Sequence, residues 1–199
     1  MSRKCVNGVK SMSRFLLAVL LCISVSACSS PPLSVAKMDD RTGLLKTEVV
    51  AQKAKILISK KLNIAQFKGM AYVTGLSSTN DMQAAIDQIK ALGYFDEVLD
   101  TTALENLIHE KSLEKSIINI DEPIGLNRVY RQYKSFVWIQ FQSGGTGANP
   151  YERLVVINPE TLEVVFMSQA TLSFLHGLTN EDGFYPLINS LIEWIDRNK

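Results

Sequence analysis

Cysteine and histidine are scarce in this sequence, with three cysteines and two histidines in 199 residues. All three cysteines lie within the first 28 residues, so we expect no disulfide framework and no cysteine metal site in the rest of the chain. His109-Glu110 begins like a zinc-protease motif, but Leu113 stands where the second histidine ligand would be. No serine lies in a nucleophile-elbow context. We therefore expect no metal, no cofactor and no catalytic triad.

Long apolar runs and phosphate-binding motifs are also missing. The longest apolar run, residues 15–23, has nine residues, and a membrane-spanning helix needs roughly 20. The glycine-rich stretch at 143–150 lacks the lysine of a phosphate-binding loop and does not fit the pattern G-x-G-x-x-G. We interpret that stretch as a loop between two strands.

The N-terminus has the features of an export signal. Four basic residues and no acidic residue precede the apolar run: Arg3, Lys4, Lys10 and Arg14. The sequence Val-Ser-Ala-Cys follows at 25–28 and resembles the lipobox of bacterial lipoproteins. The resemblance implies that residues 1–27 are a signal peptide and that Cys28 is acylated, which would anchor the chain to a membrane. An ordinary secretory peptide cut near Ala27 is the alternative, and Met1 and Met12 are alternative translation starts.

The residue after the cysteine bears on the membrane to which the chain is sorted. Position 29 is serine, whereas an aspartate there favours inner-membrane retention in enterobacterial lipoproteins. The resemblance therefore implies the periplasmic face of the outer membrane, with the inner membrane as the alternative.

Removal of residues 1–27 changes the charge of the chain. It takes away four of the 21 basic side chains and none of the 20 acidic ones, which leaves a formal charge of −3. A mildly acidic domain lacks the basic surface that nucleic acids require. We expect a protein partner and no nucleic-acid partner.

The remaining chain divides into a short linker and one domain. Residues 28–43 are polar, contain two prolines and show little periodicity, which predicts a flexible tether. Residues 44–199 have the length of a single domain with its own core.

The first half of this domain is predicted to alternate strands and helices. Residues 47–62 are ambiguous, and we favour a helix over a short strand at 56–58. A strand at 67–74 precedes a helix capped by Asn80 and ended by Gly93, and a strand at 95–99 precedes a helix with the capping-box pair Thr102 and Glu105. A further strand at 116–120 and a short helix at 126–133 follow.

The second half is rich in β-branched and aromatic residues. Strands are predicted at 136–141, 154–157 and 162–167, and the short connection at 158–161 favours an antiparallel meander. A closing amphipathic helix covers 184–195. The fold class is therefore α+β, a single domain with a mixed sheet and helices packed on it.

One patch has the composition of a binding surface. Aromatic and arginine side chains are enriched at interface hot spots, and they alternate between residues 128 and 138. The predicted partner-binding residues are Arg128, Tyr130, Arg131, Tyr133 and Trp138. Phe136 and Lys134 lie among them. The alternative interpretation is a core-facing aromatic set with a basic outer face.

The order of elements resembles that of small periplasmic lipoprotein domains. Lipoprotein activators of penicillin-binding proteins and the lipoprotein of the curli secretion channel share the lipobox, the tether, the strand-helix-strand-helix start, the hairpin with its Pro-Glu-Thr turn and the closing helix. Apart from the lipobox, no functional residues carry over. The resemblance implies a non-enzymatic domain that binds an envelope protein.

Two alternatives remain open from the sequence. One is an immunity lipoprotein that neutralises a toxin in the periplasm. The other is an acid/base hydrolase, because carboxylates in or near predicted turns could form a catalytic pair. These carboxylates are Asp96, Glu97, Asp100, Asp121, Glu122, Glu181 and Asp182.

Overall fold

A six-stranded mixed sheet forms the centre of the domain. The computed structural model describes residues 32–47, 53–117, 119–146, 148–172 and 178–199. The predicted signal peptide and Cys28 lie outside the described residues. The strands are β1 (Lys55–Ser59), β2 (Ala71–Thr74), β3 (Val98–Leu99), β4 (Val137–Gly144), β5 (Tyr151–Asn158) and β6 (Glu163–Thr171). The helices are α1 (Thr79–Ala91), α2 (Thr101–Glu110), α3 (Pro123–Gln132) and α4 (Tyr185–Asn198).

The strand order is β1-β6-β5-β4-β2-β3. Strands β4, β5 and β6 form the antiparallel meander, while β2 pairs in parallel with both β3 and β4. The predicted α+β class, the mixed sheet and the meander are confirmed. We call the edge where β2 and β4 end and β5 begins the upper edge, and the edge that holds the β5–β6 turn the lower edge.

Helices cover the two faces of the sheet unequally. On the first face, α1 and α4 pack over the strands and bury a large core that includes Ile139, Phe141 and Trp194. On the second face, α2 and α3 bury a smaller cluster around Tyr72 and Phe136. The larger core explains why the closing helix is apolar along most of its length.

The helix starts differ in detail from the sequence predictions. The side chain of Ser78, and not that of Asn80, accepts the hydrogen bond from the Asp81 backbone at the start of α1. In α2 the cap is Asp100, which accepts from the backbone of Ala103. In both helices the capping side chain lies earlier in the chain than predicted, since several polar residues precede each apolar stripe and pattern alone does not choose among them.

The prediction of a helix over residues 47–62 is wrong for the described residues of that range. Residues 55–59 form β1, which pairs antiparallel with β6 and places Ile56 opposite Ser168. Without β1, the outer edge of β6 would leave its backbone groups unpaired, and that tertiary pairing overrides the helical pattern. The exposed lysines Lys55, Lys60 and Lys61 flank this edge strand, as is typical of strands that avoid edge-to-edge aggregation.

The predicted strand at 116–120 is also wrong for the described residues of that segment. The backbone amides of Ser116 and Ile117 both donate to the carbonyl of Leu113, which is a turn. Ile117 and Ile120 are buried in the second-face cluster. Their apolar character therefore reflects anchoring of the α2–α3 connection rather than strand pairing.

The predicted flexible tether requires a correction from residue 32 onward. Residues 37–46 form a hairpin in which Met38 pairs with Leu45. We call the whole segment 32–47 the N-terminal hairpin. Leu33 and Leu45 are 6% and 5% exposed. The hairpin lies along α1 and α4, because side chains of both helices bind its backbone, as in the hydrogen bond from the Leu45 amide to Asn189 Oδ1 at 2.7 Å. The folded domain thus includes this segment.

One buried carboxylate stands out in the first-face core. Glu152 on β5 is 2% exposed and accepts a hydrogen bond from Ser143 Oγ to its Oε2 at 2.6 Å. Its Oε1 has no hydrogen-bond partner in the described part of the chain. Burial raises the pKa of Glu152 above its ordinary value of 4.5.

We expect Glu152→Gln to stabilise the protein selectively at neutral pH. Because its pKa is raised in the folded state, the carboxyl binds its proton more tightly when folded, so its favourable contribution is full below pH 4.5 and is lost as the pH rises through the folded-state pKa. The difference in Tm between variant and wild type should grow from pH 4 to pH 8 in thermal denaturation. Glu110→Gln, at an exposed site, is the control, and parallel Tm curves for Glu152→Gln would contradict the assignment.

The closing helix supplies a second prediction. Trp194 is fully buried, stacks on Phe166 with ring centroids 5.3 Å apart, and donates from Nε1 to the carbonyl of Lys60 at 3.3 Å. Trp194→Ala should lower the free energy of unfolding by about 3–5 kcal/mol, measured by urea denaturation. Ile124→Ala, at a 57% exposed position, should change it by less than about 0.5 kcal/mol. Equal losses in the two variants would contradict this view of the core.

Candidate protein-binding surface

The five predicted binding residues lie on α3, at its end and on the adjoining strand β4. Their aromatic members point largely into the domain. The Tyr130 ring lies 6.2 Å from that of Phe67 and 6.4 Å from that of Phe136. Its hydroxyl donates to Glu160 Oε2 at 3.2 Å, and burial, with the nearby Glu160 carboxylate, raises the pKa of Tyr130. Tyr130 therefore serves mainly to join α3 to the β5–β6 turn.

Trp138 and Tyr133 are half-buried beside the second-face cluster. The Trp138 ring lies 6.4 Å from that of Tyr72, and its Nε1 donates to Thr74 Oγ1 at 2.8 Å. A tryptophan with a satisfied N–H and a partly exposed ring is a typical interface anchor. Trp138 stands at the border between the covered and uncovered parts of the sheet.

Arg128 and Arg131 are exposed on the outer side of α3. Arg128 donates to the carbonyl of Ser116 at 3.3 Å, which leaves most of its guanidinium donors free of described partners. Ile124, in the first turn of the same helix, is 57% exposed. The outer side of α3 thus presents two cations next to an apolar side chain.

Beyond Trp138, the second face of the sheet continues toward the upper edge as a polar surface. Successive side chains along a strand point to opposite faces of the sheet, whereas residues opposite each other on neighbouring strands point to the same face. The register places Gln140 opposite Val155 and Gln142 opposite Arg153. Across the next pair, Arg153 lies opposite Gln169. We call the following set the open face: Gln140, Gln142, Tyr151, Arg153, Met167 and Gln169.

The side chains of the open face contact one another. Gln142 Nε2 donates to Gln140 Oε1 at 2.6 Å, and Arg153 Nε donates to Gln169 Oε1 at 2.9 Å. The Arg153 guanidinium lies 4.3 Å from the centroid of the Tyr151 ring, a cation–π contact. These contacts hold long side chains flat against the sheet and bury Val155 between them to 1% exposure. The surface is therefore ordered before any partner binds.

The composition of this surface is that of an interface. Trp, Tyr, Met and Arg are enriched at protein interfaces, whereas Lys, Asp and Glu are depleted. The open face carries one charged residue, Arg153, and no carboxylate. Arg153 of the open face and the exposed Arg128 and Arg131 of α3 are the cations considered for binding on the second side of the sheet, where carboxylates also lie, around the connection between α2 and α3.

The carboxylates proposed for hydrolysis are dispersed. Asp100 caps α2, and Glu97 pairs with Lys134 at 3.3 Å. Asp121 precedes α3 on the second face, whereas Asp182 lies in a π-helical turn, Asn180–Phe184, that leads into α4 on the first face. The predicted carboxylates therefore divide between the two faces of the sheet, and Asp100 and Asp121 both lie near the Tyr72 hydroxyl.

A cavity of about 480 Å³ on the second face combines one predicted carboxylate, Asp121, and two others with isoleucines. Glu105, Glu114 and Asp121 line it, together with Ile108, Ile117 and Ile120. Backbone hydrogen bonding and His109 lower the pKa of Glu114. General acid catalysis needs a carboxyl with a raised pKa, and in the described ranges the carboxyl with a raised pKa is the buried Glu152 of the first-face core.

Neither a metal-binding cluster nor a membrane-spanning helix is present in the described residues. No group of three or more His, Cys, Asp or Glu side chains there is arranged to hold a metal ion. No described helix has both the length and the apolar character needed to cross a bilayer.

Sequence reasoning missed the open face. The alternation of Gln140 and Gln142 with apolar residues was visible and places both on one side of β4. It did not reveal that α2 and α3 stop short of this part of the sheet, because helix placement depends on tertiary packing.

Comparisons with known proteins give structural similarity at low identity. No family model and no curated protein matches the sequence. The similar solved structures are of small bacterial lipoproteins. PelC from Paraburkholderia phytofirmans, solved as a dodecamer, is 11% identical with a TM-score of 0.40, over 71% of this chain and 96% of that one.

Two further structures are similar at the same level. The LpoB C-terminal domain from Escherichia coli is 15% identical with a TM-score of 0.35, over 54% of this chain and 84% of that one. Lipoprotein GNA1162 from Neisseria meningitidis is 7% identical with a TM-score of 0.33, over 65% and 99%. At such identities and TM-scores, the resemblance says nothing about partners or activity.

Proposed function

We propose that this chain is a lipid-anchored envelope lipoprotein whose periplasmic domain binds a protein partner without catalysing a reaction. Residues 1–27 are removed, Cys28 is acylated, and the anchor lies on the periplasmic face of the outer membrane. The basic region, the apolar run and the Val-Ser-Ala-Cys sequence at 25–28 support this assignment.

The observation that carries the binding role is the joint surface of α3 and the open face. It is ordered by its own hydrogen bonds, rich in interface residue types, and cationic through Arg128, Arg131 and Arg153. Charge complementarity selects the class of partner, because cations at an interface favour a surface that carries carboxylates. The partner is therefore an envelope protein with an acidic docking surface, and Tyr133 and Trp138 provide the apolar contacts.

The partner is sought by affinity purification of the tagged, acylated chain from gently cross-linked envelopes, with mass spectrometry of the captured proteins. Specificity is judged by comparing the wild type with variants of the surface. A captured protein supports the proposal only if its recovery depends on the arginines of the joint surface.

We expect the double substitution Arg128→Glu/Arg131→Glu, and separately Arg153→Glu, to weaken binding of that partner about tenfold or more, since like charges would then face each other. Binding is measured by surface plasmon resonance with the purified partner. Lys37→Glu/Lys90→Glu makes the same change in charge at exposed sites on the hairpin and α1, and should leave affinity within about twofold. Equal weakening in the two sets would contradict this surface, with folding checked by circular dichroism.

A further inference from the structure

The N-terminal hairpin is bound in the manner of an extended peptide between two helices. Gln88 on α1 is fully buried, and its side-chain amide makes two hydrogen bonds with the backbone of Ala36: Oε1 accepts from N at 2.7 Å, and Nε2 donates to O at 3.2 Å. A buried amide left without these partners would be costly. The hairpin is thus an integral part of the folded domain.

The hairpin begins at the upper edge. The amide of Leu33 donates to Asp81 Oδ1 in the first turn of α1 at 3.2 Å. The amide of Ser34 donates to Asn180 Oδ1 at 2.9 Å, and the Ser34 and Tyr185 hydroxyls are 3.0 Å apart. Both α1 and the π-helical turn before α4 start at that edge. The point from which the chain leaves toward Cys28 is therefore fixed.

The chain between that point and the anchor is short. Five residue steps separate Cys28 from Leu33, and a fully extended chain covers about 18 Å over that length. A free tether running to residue 43 would reach about 55 Å. Docking of the hairpin shortens the maximum reach by roughly two thirds.

The charged side chains at the upper edge would not by themselves attract this edge to a bilayer. Its charged side chains include Asp81, Glu181 and Asp182, with Lys46 beside Glu181 around a cavity of about 410 Å³. Acidic groups do not adsorb to anionic lipid. Any closeness of this edge to the membrane must come from the covalent anchor.

We propose that the upper edge of the domain faces the lipid surface and is held within about 18 Å of it by the docked hairpin. This inference rests on the acylation of Cys28 in the proposed function. Strand β5, with eight residues, is about 27 Å long, so the lower edge lies up to that much farther out. The open face then stands beside the bilayer, and its partner is a membrane-proximal protein.

The test is energy transfer from dye-labelled chains to acceptor-labelled headgroups in vesicles of phosphatidylethanolamine and phosphatidylglycerol. Ser77→Cys places a donor at the upper edge and Thr161→Cys one in the β5–β6 turn, both exposed positions. In the acylated chain without residues 1–27, the introduced cysteine is the sole free thiol. Transfer should be about twofold or more efficient from position 77 than from position 161.

A second variant tests the short link without disturbing the fold. Insertion of 12 glycine and serine residues between Ser30 and Pro31 adds about 19 Å of mean reach and should lower transfer from position 77. Intact-mass measurement reports acylation independently. A chain without an acyl mass at Cys28 overturns the proposed function and this inference with it. An acylated chain with equal transfer from both positions, or with no effect of the insertion, overturns this inference alone.

Discussion

Burial of the first face of the sheet beneath α1 and α4 is the constraint on which the rest of the structure depends. Phe141, Phe166 and Trp194 are among the largest fully buried side chains, and all belong to that core. Because most of the apolar area lies there, this layer supplies most of the hydrophobic stabilisation. It also fixes the two helices at a spacing that the N-terminal hairpin fills.

The second face of the sheet need not be covered by helices along its whole length, because the first-face core supplies most of the hydrophobic stabilisation. The cluster beneath α2 and α3 is small and is centred on Tyr72, Leu126 and Phe136. The rest of the second face is polar and is compatible with contact to water. Its glutamine, arginine and tyrosine side chains hydrogen-bond to or stack on one another. An antiparallel meander with one solvated face is a common arrangement, and here the solvated face has few of the lysines and carboxylates that usually cover such surfaces.

The N-terminal hairpin links the packing of the core to the position from which the chain leaves toward Cys28. Its backbone polar groups are bound by side chains of α1 and α4, so the packing that stabilises the first face also sets where the chain departs toward Cys28. A polar stretch with two prolines resembles a linker in composition. Its partners, Gln88 and Asn189, are about 50 and 144 positions away in sequence, and no local pattern reveals them.

The sequence by itself determined the α+β class, the three meander strands, the closing helix and the short amphipathic helix of α3, since each depends on residue periodicity and turn chemistry that act over a few positions. Only the tertiary structure decided that 55–59 is a strand, that the described residues of 116–120 do not form one, and that the segment from residue 32 is docked. Each of these outcomes depends on satisfying backbone groups or burying apolar side chains against distant parts of the chain. The binding surface divides in the same way: the alternation of arginine and aromatic residues marked α3 and Trp138, whereas the open face exists because helices packed elsewhere left that part of the sheet uncovered.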